Sequence, residues 1–447
     1  MNRSSLIASR PRPDFATIVK KPPPGMRLLP TMALLGTLAA LSALSGCTST
    51  PTAPPAPPPA ASPADTPAPP GTTALPPTSA LPYPPMVDGA PPPPPSAELL
   101  AELAEDRQRP LPPVRQHGRS QWVPVPWSAL PGLLDDPLHS AWNAWLRSCE
   151  RPGPTWASAC RELRPLALGT RNEQLRWMVA TLQPYRIRAA DGSTPDGLLT
   201  GYFEPMMAAS RTRTPTHTVP LYALPARLPQ GPWFSRQAME TDPQALAALQ
   251  GREIAWLADP IDALILQIQG SGRLTITEPD GSERSVRLAF AGHNGHRYLS
   301  VGRWLLDRRA ITDPSWPAIK AWAAANPERL NDMLWSNPRT VFFREEPLQG
   351  LDAQFGPRGA QNVPLTPGRS IAVDPGSIPY GTPVWLATPG PTAKLQQLVL
   401  AQDTGAAIVG AVRADYFAGW GPEAGAFAGA LKQPLQLWAL WPRALAR

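Results

Sequence analysis

Near the C-terminus an apolar run, Leu398 to Ala401, ends on Asp403 followed closely by Gly405. A second apolar segment, Ala406 to Val412 with Gly410 inside it, leads to Asp415. The first run has the length and aliphatic character of a buried strand that stops at a turn. The second is expected to be another strand, with Asp415 just past its end. Two such strands bring Asp403 and Asp415 to one rim of a sheet or barrel, where carboxylates suit general acid–base chemistry. The alternative for each is a turn-forming role, because Asp bonds nearby backbone amides. Asp374 likewise ends an apolar run, Arg369 to Val373.

Other chemistries fit less well. Gln269-Gly-Ser-Gly-Arg273 is too short for a phosphate loop and lacks its Lys-Ser/Thr. Ser271 is not set in a Gly-x-Ser-x-Gly elbow. His293 and His296 have neither helical metalloprotease nor finger spacing, so no metal is expected. No cofactor is implied, and no basic run with interleaved aromatics suggests nucleic acid.

The elements that position these residues follow from local patterns. Helical periodicity covers about 134–148 and 172–183, and Gly197 to Pro205 reads as a strand entering a turn. A mixed segment holds a strand near 219–223, a helix near 242–249 and a strong apolar strand over Asp262–Gln269. Asp280-Gly281 between alternating runs marks a hairpin. Helices are expected at about 298–309 and 317–334, then strands at 369–374, 383–386 and 435–441. A strand-rich end section suggests a barrel.

The N-terminal part is not fold. Lys20, Lys21 and Arg27 precede an apolar run from about Met32 to Leu44, too short for a spanning helix and suited to a signal-peptide core. Leu44-Ser-Gly-Cys47 looks like a bacterial lipoprotein signal, with lipid on Cys47 and Thr48 favouring the outer membrane. Residues 48–97 are proline-rich and read as a linker. Cys149 and Cys160 are the remaining cysteines and could form a local disulfide in an oxidising compartment. Sixteen tryptophans against seven tyrosines offer faces that stack on sugar rings. The net charge of +7 is weak support for an anionic polymer as partner.

Several stretches, in order, resemble the membrane-bound lytic murein transglycosylase A family. They are Thr200-Gly-Tyr-Phe-Glu-Pro, Leu266-Gln-Ile-Gln-Gly-Ser-Gly, Phe290-Ala-Gly-His-Asn-Gly-His-Arg-Tyr, Asn337-Pro-Arg-Thr-Val-Phe-Phe and Val363-Pro-Leu-Thr-Pro-Gly-Arg-Ser-Ile-Ala-Val-Asp. Ile378-Pro-Tyr-Gly-Thr-Pro and the stretch through Gly421-Pro-Glu-Ala-Gly complete the match, which spans most of 197–427.

The resemblance implies a mainly β fold, a double-psi β-barrel with an inserted second β-rich domain and flanking helices. The implied division is signal 1–47, linker 48–97, helical lead-in and first barrel part 98–210, substrate-binding insert 211–345, and C-terminal barrel part 346–447. It implies a cofactor-free enzyme that cuts peptidoglycan between N-acetylmuramic acid and N-acetylglucosamine, closing a 1,6-anhydro ring. Asp415 would be the catalytic acid then base, with Asp403 beside it, and Tyr202, Gln269, Ser271, Gly272 and Asp374 would bind substrate. The expected partners are glycan strands, outer-membrane lipid through the anchor, and other cell-wall enzymes. The alternatives are an inverting hydrolase using Asp403 and Asp415, and a lipoprotein that grips glycan without cutting it.

Overall fold

The computed structural model describes residues 92–194 and 197–445. The expected signal, Cys47 and nearly all of the linker lie outside the described residues. The lead-in comprises α1 (Ala97–Gln108), β1 (Arg115–His117), β2 (Ser120–Pro124), α2 (His139–Ser148), α3 (Gly153–Leu166) and α4 (Arg171–Thr181). Then come β3 (Leu182–Ala189) and β4 (Gly197–Glu204). The chain continues through β5 (Met206–Ser210), β6 (Val219–Tyr222), α5 (Arg236–Thr241), α6 (Pro243–Leu249) and β7 (Glu253–Leu257). Next are α7 (Pro260–Gln269), β8 (Ser271–Thr277), β9 (Glu283–His293), α8 (Val301–Asp307), α9 (Trp316–Ala325), α10 (Leu330–Trp335) and β10 (Val341–Pro347). It ends with β11 (Ser370–Val373), β12 (Pro383–Thr388), β13 (Leu395–Asp403), β14 (Arg413–Trp420), α11 (Gly421–Ala430) and β15 (Lys432–Pro442).

The larger sheet runs β1-β2-β3-β15-β12-β13-β11-β14-β4, and an added β15–β4 pairing closes six of its nine strands into a barrel. Closure removes the sheet edges that would otherwise need cover. Two parallel pairs, β11–β13 and β4–β14, sit among antiparallel ones. Inside lie Ile371, Val373, Val384, Leu386, Val399, Tyr416 and Leu437. The lead-in helices cover the outside through Trp127, Trp142, Trp145 and Trp156, packed with Trp385 and Trp438. Six of the sixteen tryptophans are therefore used in this core.

The second sheet, β10-β9-β8-β5-β7-β6, is inserted between β4 and β11 and carries α5 to α10. The crossing occurs at Pro205. Glu204, fully buried, receives Arg273 Nε at 2.9 Å and Arg287 Nε at 2.5 Å. Both guanidiniums also donate to the Phe355 carbonyl, on the segment that returns to the barrel. One carboxylate thus ties the departing and returning chains to the insert.

The helix expected at about 317–334 is divided into α9 and α10, and two further elements differ in kind from expectation. Asp262–Gln269 is helix, not strand: the Asp259 side chain accepts from the Ile261 N–H, Pro260 opens the first turn, and Gly270 closes it at φ +83°. Its central apolar residues follow no single stripe because the helix packs on two sides. Ala263 and Leu266 meet the sheet core, while Ile261, Leu264 and Ile265 meet the helical core of α8–α10. The segment Ala406–Val412 is a loop, not a strand. Ile408, Ala411 and Val412 are buried because the loop folds back on the barrel. Asp415 is consequently the third residue of β14 rather than a residue beyond a strand end.

Candidate active site

The site grows out of one lateral row across four barrel strands. Thr200 of β4 pairs with Asp415 of β14, Asp415 with Ala372 of β11, and Ala372 with Asp403 of β13. Residues paired across a sheet present their side chains to the same face, so both carboxylates point the same way. They lie two strands apart, which separates their backbones by about 9–10 Å. The small Ala372 side chain leaves the space between them open.

Asp415 is held from the β4 side. The Thr200 hydroxyl donates to Asp415 Oδ1, and Thr200 Oγ1 in turn accepts from Arg413 Nη2 at 2.8 Å. Burial raises the Asp415 carboxyl above its ordinary range, and the Thr200 hydrogen bond and the Arg413 charge oppose the rise. A carboxyl lifted this way holds its proton to higher pH than an exposed one, the direction a general acid needs.

Asp403 is engaged at both oxygens. Oδ1 accepts from the Ala360 N–H and Oδ2 from the Tyr202 hydroxyl, each at 2.9 Å. Burial lifts Asp403 to about 6, the Asp415 charge adds to this, and the donors from Thr404, Ala360 and Tyr202 oppose it. The Tyr202 phenol is pushed well above its usual range by burial and the neighbouring carboxylates, so it stays a donor. The Ala360 donor depends on Gly359, where an added Cβ would come within 2.5 Å of the Gln402 carbonyl and 3.1 Å of Asp403 Cβ. Only glycine lets that loop lie so close to β13.

Asp403, Asp415, Tyr202, Gln269 and Ser271 all line one cleft of about 770 Å³ between barrel and insert. Gln269 Oε1 accepts from the Phe203 N–H at 3.0 Å, which pins the end of α7 to β4. No tryptophan is among the described lining residues; the aromatic surface comes from Tyr202, Phe290 and Tyr298.

Asp374 and Gly272 lie apart from this lining. Asp374 is buried and receives Arg119 Nη1 at 3.1 Å and the Gly376 and Gly410 N–H groups at 2.9 Å each. It holds the 374–378 turn against the loop before β14. An added Cβ at Gly272 would meet Leu266 Cδ1 at 2.3 Å and the Pro205 carbonyl at 3.1 Å, so this glycine serves close packing. Cys149 and Cys160 form a disulfide joining the end of α2 to α3. Sequence reasoning gave no role to Thr200, Arg413 or Ala360. Thr200 stands in a quoted motif, but only the strand register shows what it touches.

Family models match along the same stretches. Residues 198–344 match the MltA specific insert domain, and residues 369–441 match the 3D domain. The membrane-bound lytic murein transglycosylase A of Vibrio cholerae is 32% identical over 304 residues, covering 64% of this chain and 77% of that one. This chain belongs to the membrane-bound lytic murein transglycosylase A family. The Escherichia coli K12 member is 32% identical over 252 residues, covering 54% and 64% respectively.

Solved structures agree with the family's fold. The lytic transglycosylase LtgG of Burkholderia pseudomallei is 40% identical, covers 75% of this chain and 100% of its own, and has a TM-score of 0.50. MltA from Neisseria gonorrhoeae is 26% identical, covers 75% and 96%, and has a TM-score of 0.62. E. coli MltA with bound chitohexaose is 25% identical, covers 72% and 94%, and has a TM-score of 0.57. Asp374, Asp403 and Asp415 fall in the residues that match the 3D domain, while Tyr202, Gln269 and Ser271 fall in the residues that match the insert domain, a match that also takes in most of barrel strand β4.

Proposed function

We infer that this chain is a peptidoglycan lytic transglycosylase and that Asp415 is its acid and base. The observation that carries the role is the carboxyl raised by burial and oriented by Thr200 at the wall of the cleft. Asp415 would give its proton to the glycosidic oxygen between N-acetylmuramic acid and N-acetylglucosamine as the bond from C1 breaks. The resulting carboxylate would take the proton from the muramic 6-hydroxyl as that oxygen attacks C1, closing the 1,6-anhydro ring. The nucleophile is tethered to the reacting sugar, so proximity replaces a positioned water.

Asp403 would act through charge and orientation. Both of its oxygens already accept from protein donors, which favours a fixed anion over a base that must first capture water. A negative group there suits the positive charge that develops at C1. Tyr202, Gln269 and Ser271 would contact the glycan, with Asp374 and Gly272 supporting the walls. The relative with bound chitohexaose supports a glycan in this cleft.

The names of the relatives support membrane association. We place the chain as an outer-membrane lipoprotein facing the periplasm, lipidated at Cys47, with residues 48–97 as the tether, 211–345 as insert, and 98–210 with 346–447 as barrel and lead-in. A soluble form beginning near Ser96 should clear a suspension of purified sacculi, and Asp415→Ala should not while still sedimenting with them. Sedimentation without clearing by the wild type would instead favour a non-catalytic binder.

A further inference from the structure

A second large cavity, of about 760 Å³, lies in the insert and has none of the catalytic row in its lining. Its size suits a small ligand. Met239 and Ala263 give it a buried apolar floor, and Trp256 and Leu246 stand nearer its mouth.

Its polar groups are placed as if for a missing partner. Arg236 is only 6% exposed, and it donates to the carbonyls of Asn337 and Arg339 and to Gln267 Oε1. No carboxylate among the described residues pairs with it. Burial pulls this guanidinium down to about 10, and the nearby Glu240 charge only partly opposes the shift. Thr340, 5% exposed, is among the residues lining the same cavity, and its buried hydroxyl has no hydrogen-bond partner among the described residues. A buried hydroxyl without a partner is costly and calls for one. Glu240, Glu253 and Arg213 also line the cavity, and none of them forms an ion pair among the described residues. Trp335 Nε1 donates to Glu240 Oε2 at 2.6 Å.

Two guanidiniums and two carboxylates, with no salt bridge between them among the described residues and apolar walls around them, match a ligand that carries both a carboxylate and an ammonium. A neutral sugar would leave Arg236 uncompensated. We propose that this cavity binds the peptide stem of a peptidoglycan strand, with its carboxylate toward Arg236 and Thr340 and its amino group toward Glu240 and Glu253. The proposal rests on the peptidoglycan function inferred above. Gln267 lines both this cavity and the catalytic cleft, so the peptide and glycan sites share a side chain. A stem carboxylate that takes over the Arg236 contact releases Gln267 toward the glycan.

The test titrates the protein calorimetrically with the tripeptide L-alanyl-γ-D-glutamyl-meso-diaminopimelate. Two variants keep the core intact: Ala247→Trp, which fills the exposed mouth, and Thr340→Val, which removes only the unpartnered hydroxyl. The wild type should bind the tripeptide, Thr340→Val should bind roughly three- to tenfold more weakly, and Ala247→Trp should not bind. Both variants should cleave peptide-free glycan strands like the wild type, while cleavage of stem-bearing strands by Ala247→Trp should fall. No binding by the wild type, or binding that survives Ala247→Trp, would overturn the proposal. A wild type that binds the tripeptide but cuts no glycan would sink the transglycosylase assignment and leave the cavity standing.

Discussion

Asp403 and Asp415 share a single lateral partner: Ala372 of β11 faces Asp403 across a parallel pairing and Asp415 across an antiparallel one. This fixes both carboxylates on one face of the barrel with only a methyl group between them. Two consequences concern how the pair titrates and how it is held.

Lifting Asp403 from its ordinary 3.8 to about 6 means that the folded state binds this proton more tightly than the unfolded chain. The stability that the proton contributes is present below about 4 and is lost as pH rises through about 6. The cost at neutral pH is on the order of 3 kcal/mol. Asp403→Asn should therefore gain in melting temperature relative to wild type as pH goes from 4 to 7.5. A constant difference across that range would contradict the buried-carboxyl account.

Thr200 and Arg413 both hold the Asp415 carboxyl down against the effect of burial. Thr200→Val or Arg413→Met should raise it further, so the alkaline limb of the pH–rate profile should move to higher pH. Thr200→Val should also lower kcat by about ten- to a hundredfold, within the range that one positioned proton-transfer group supplies. An unmoved limb would mean that the chain Arg413–Thr200–Asp415 does not act on the acid.

The disulfide supports the same site at a distance. Gln361, next to the Ala360 donor of Asp403, donates to the Ser148 and Arg151 carbonyls on either side of Cys149. With its cysteines 11 residues apart, Cys149–Cys160 should contribute roughly 3 kcal/mol by restricting the unfolded chain. Cys149→Ser with Cys160→Ser should melt earlier and show reduced activity, and reduction of the wild type should reproduce both effects. Full activity after reduction would separate the disulfide from the Ala360 loop.

Glu204→Ala would leave the Arg273 and Arg287 guanidiniums buried without their carboxylate, a loss of about 3–5 kcal/mol. Because these arginines also hold the Phe355 carbonyl, glycan affinity should weaken along with stability. A variant as stable as wild type in chemical denaturation would refute this role.

The sequence made the strand ends legible where an apolar run meets a polar stop, as at Asp403 and at the Asp280-Gly281 hairpin. It misled where apolarity had another cause. Residues 263–266 are an unbroken apolar run because α7 sits between two cores, although Asp259-Pro260 and Gly270 carried start and stop signals. The 406–412 run is apolar because a loop is tucked against the barrel. Asp415 and Asp403 were visible as carboxylates near strand ends. The Thr200, Ala360 and Tyr202 contacts depend on pairings between residues up to 215 positions apart, which no local pattern encodes.

In the proposed reaction Asp415 is the sole acid and base, and the muramic 6-hydroxyl replaces water. Mass spectrometry of muropeptides released from purified sacculi by wild type and Asp415→Asn tests it most directly. Wild-type products should be one water lighter than hydrolysed ends, and the variant should release none. Reducing ends from the wild type, or anhydro products from Asp415→Asn, would contradict it.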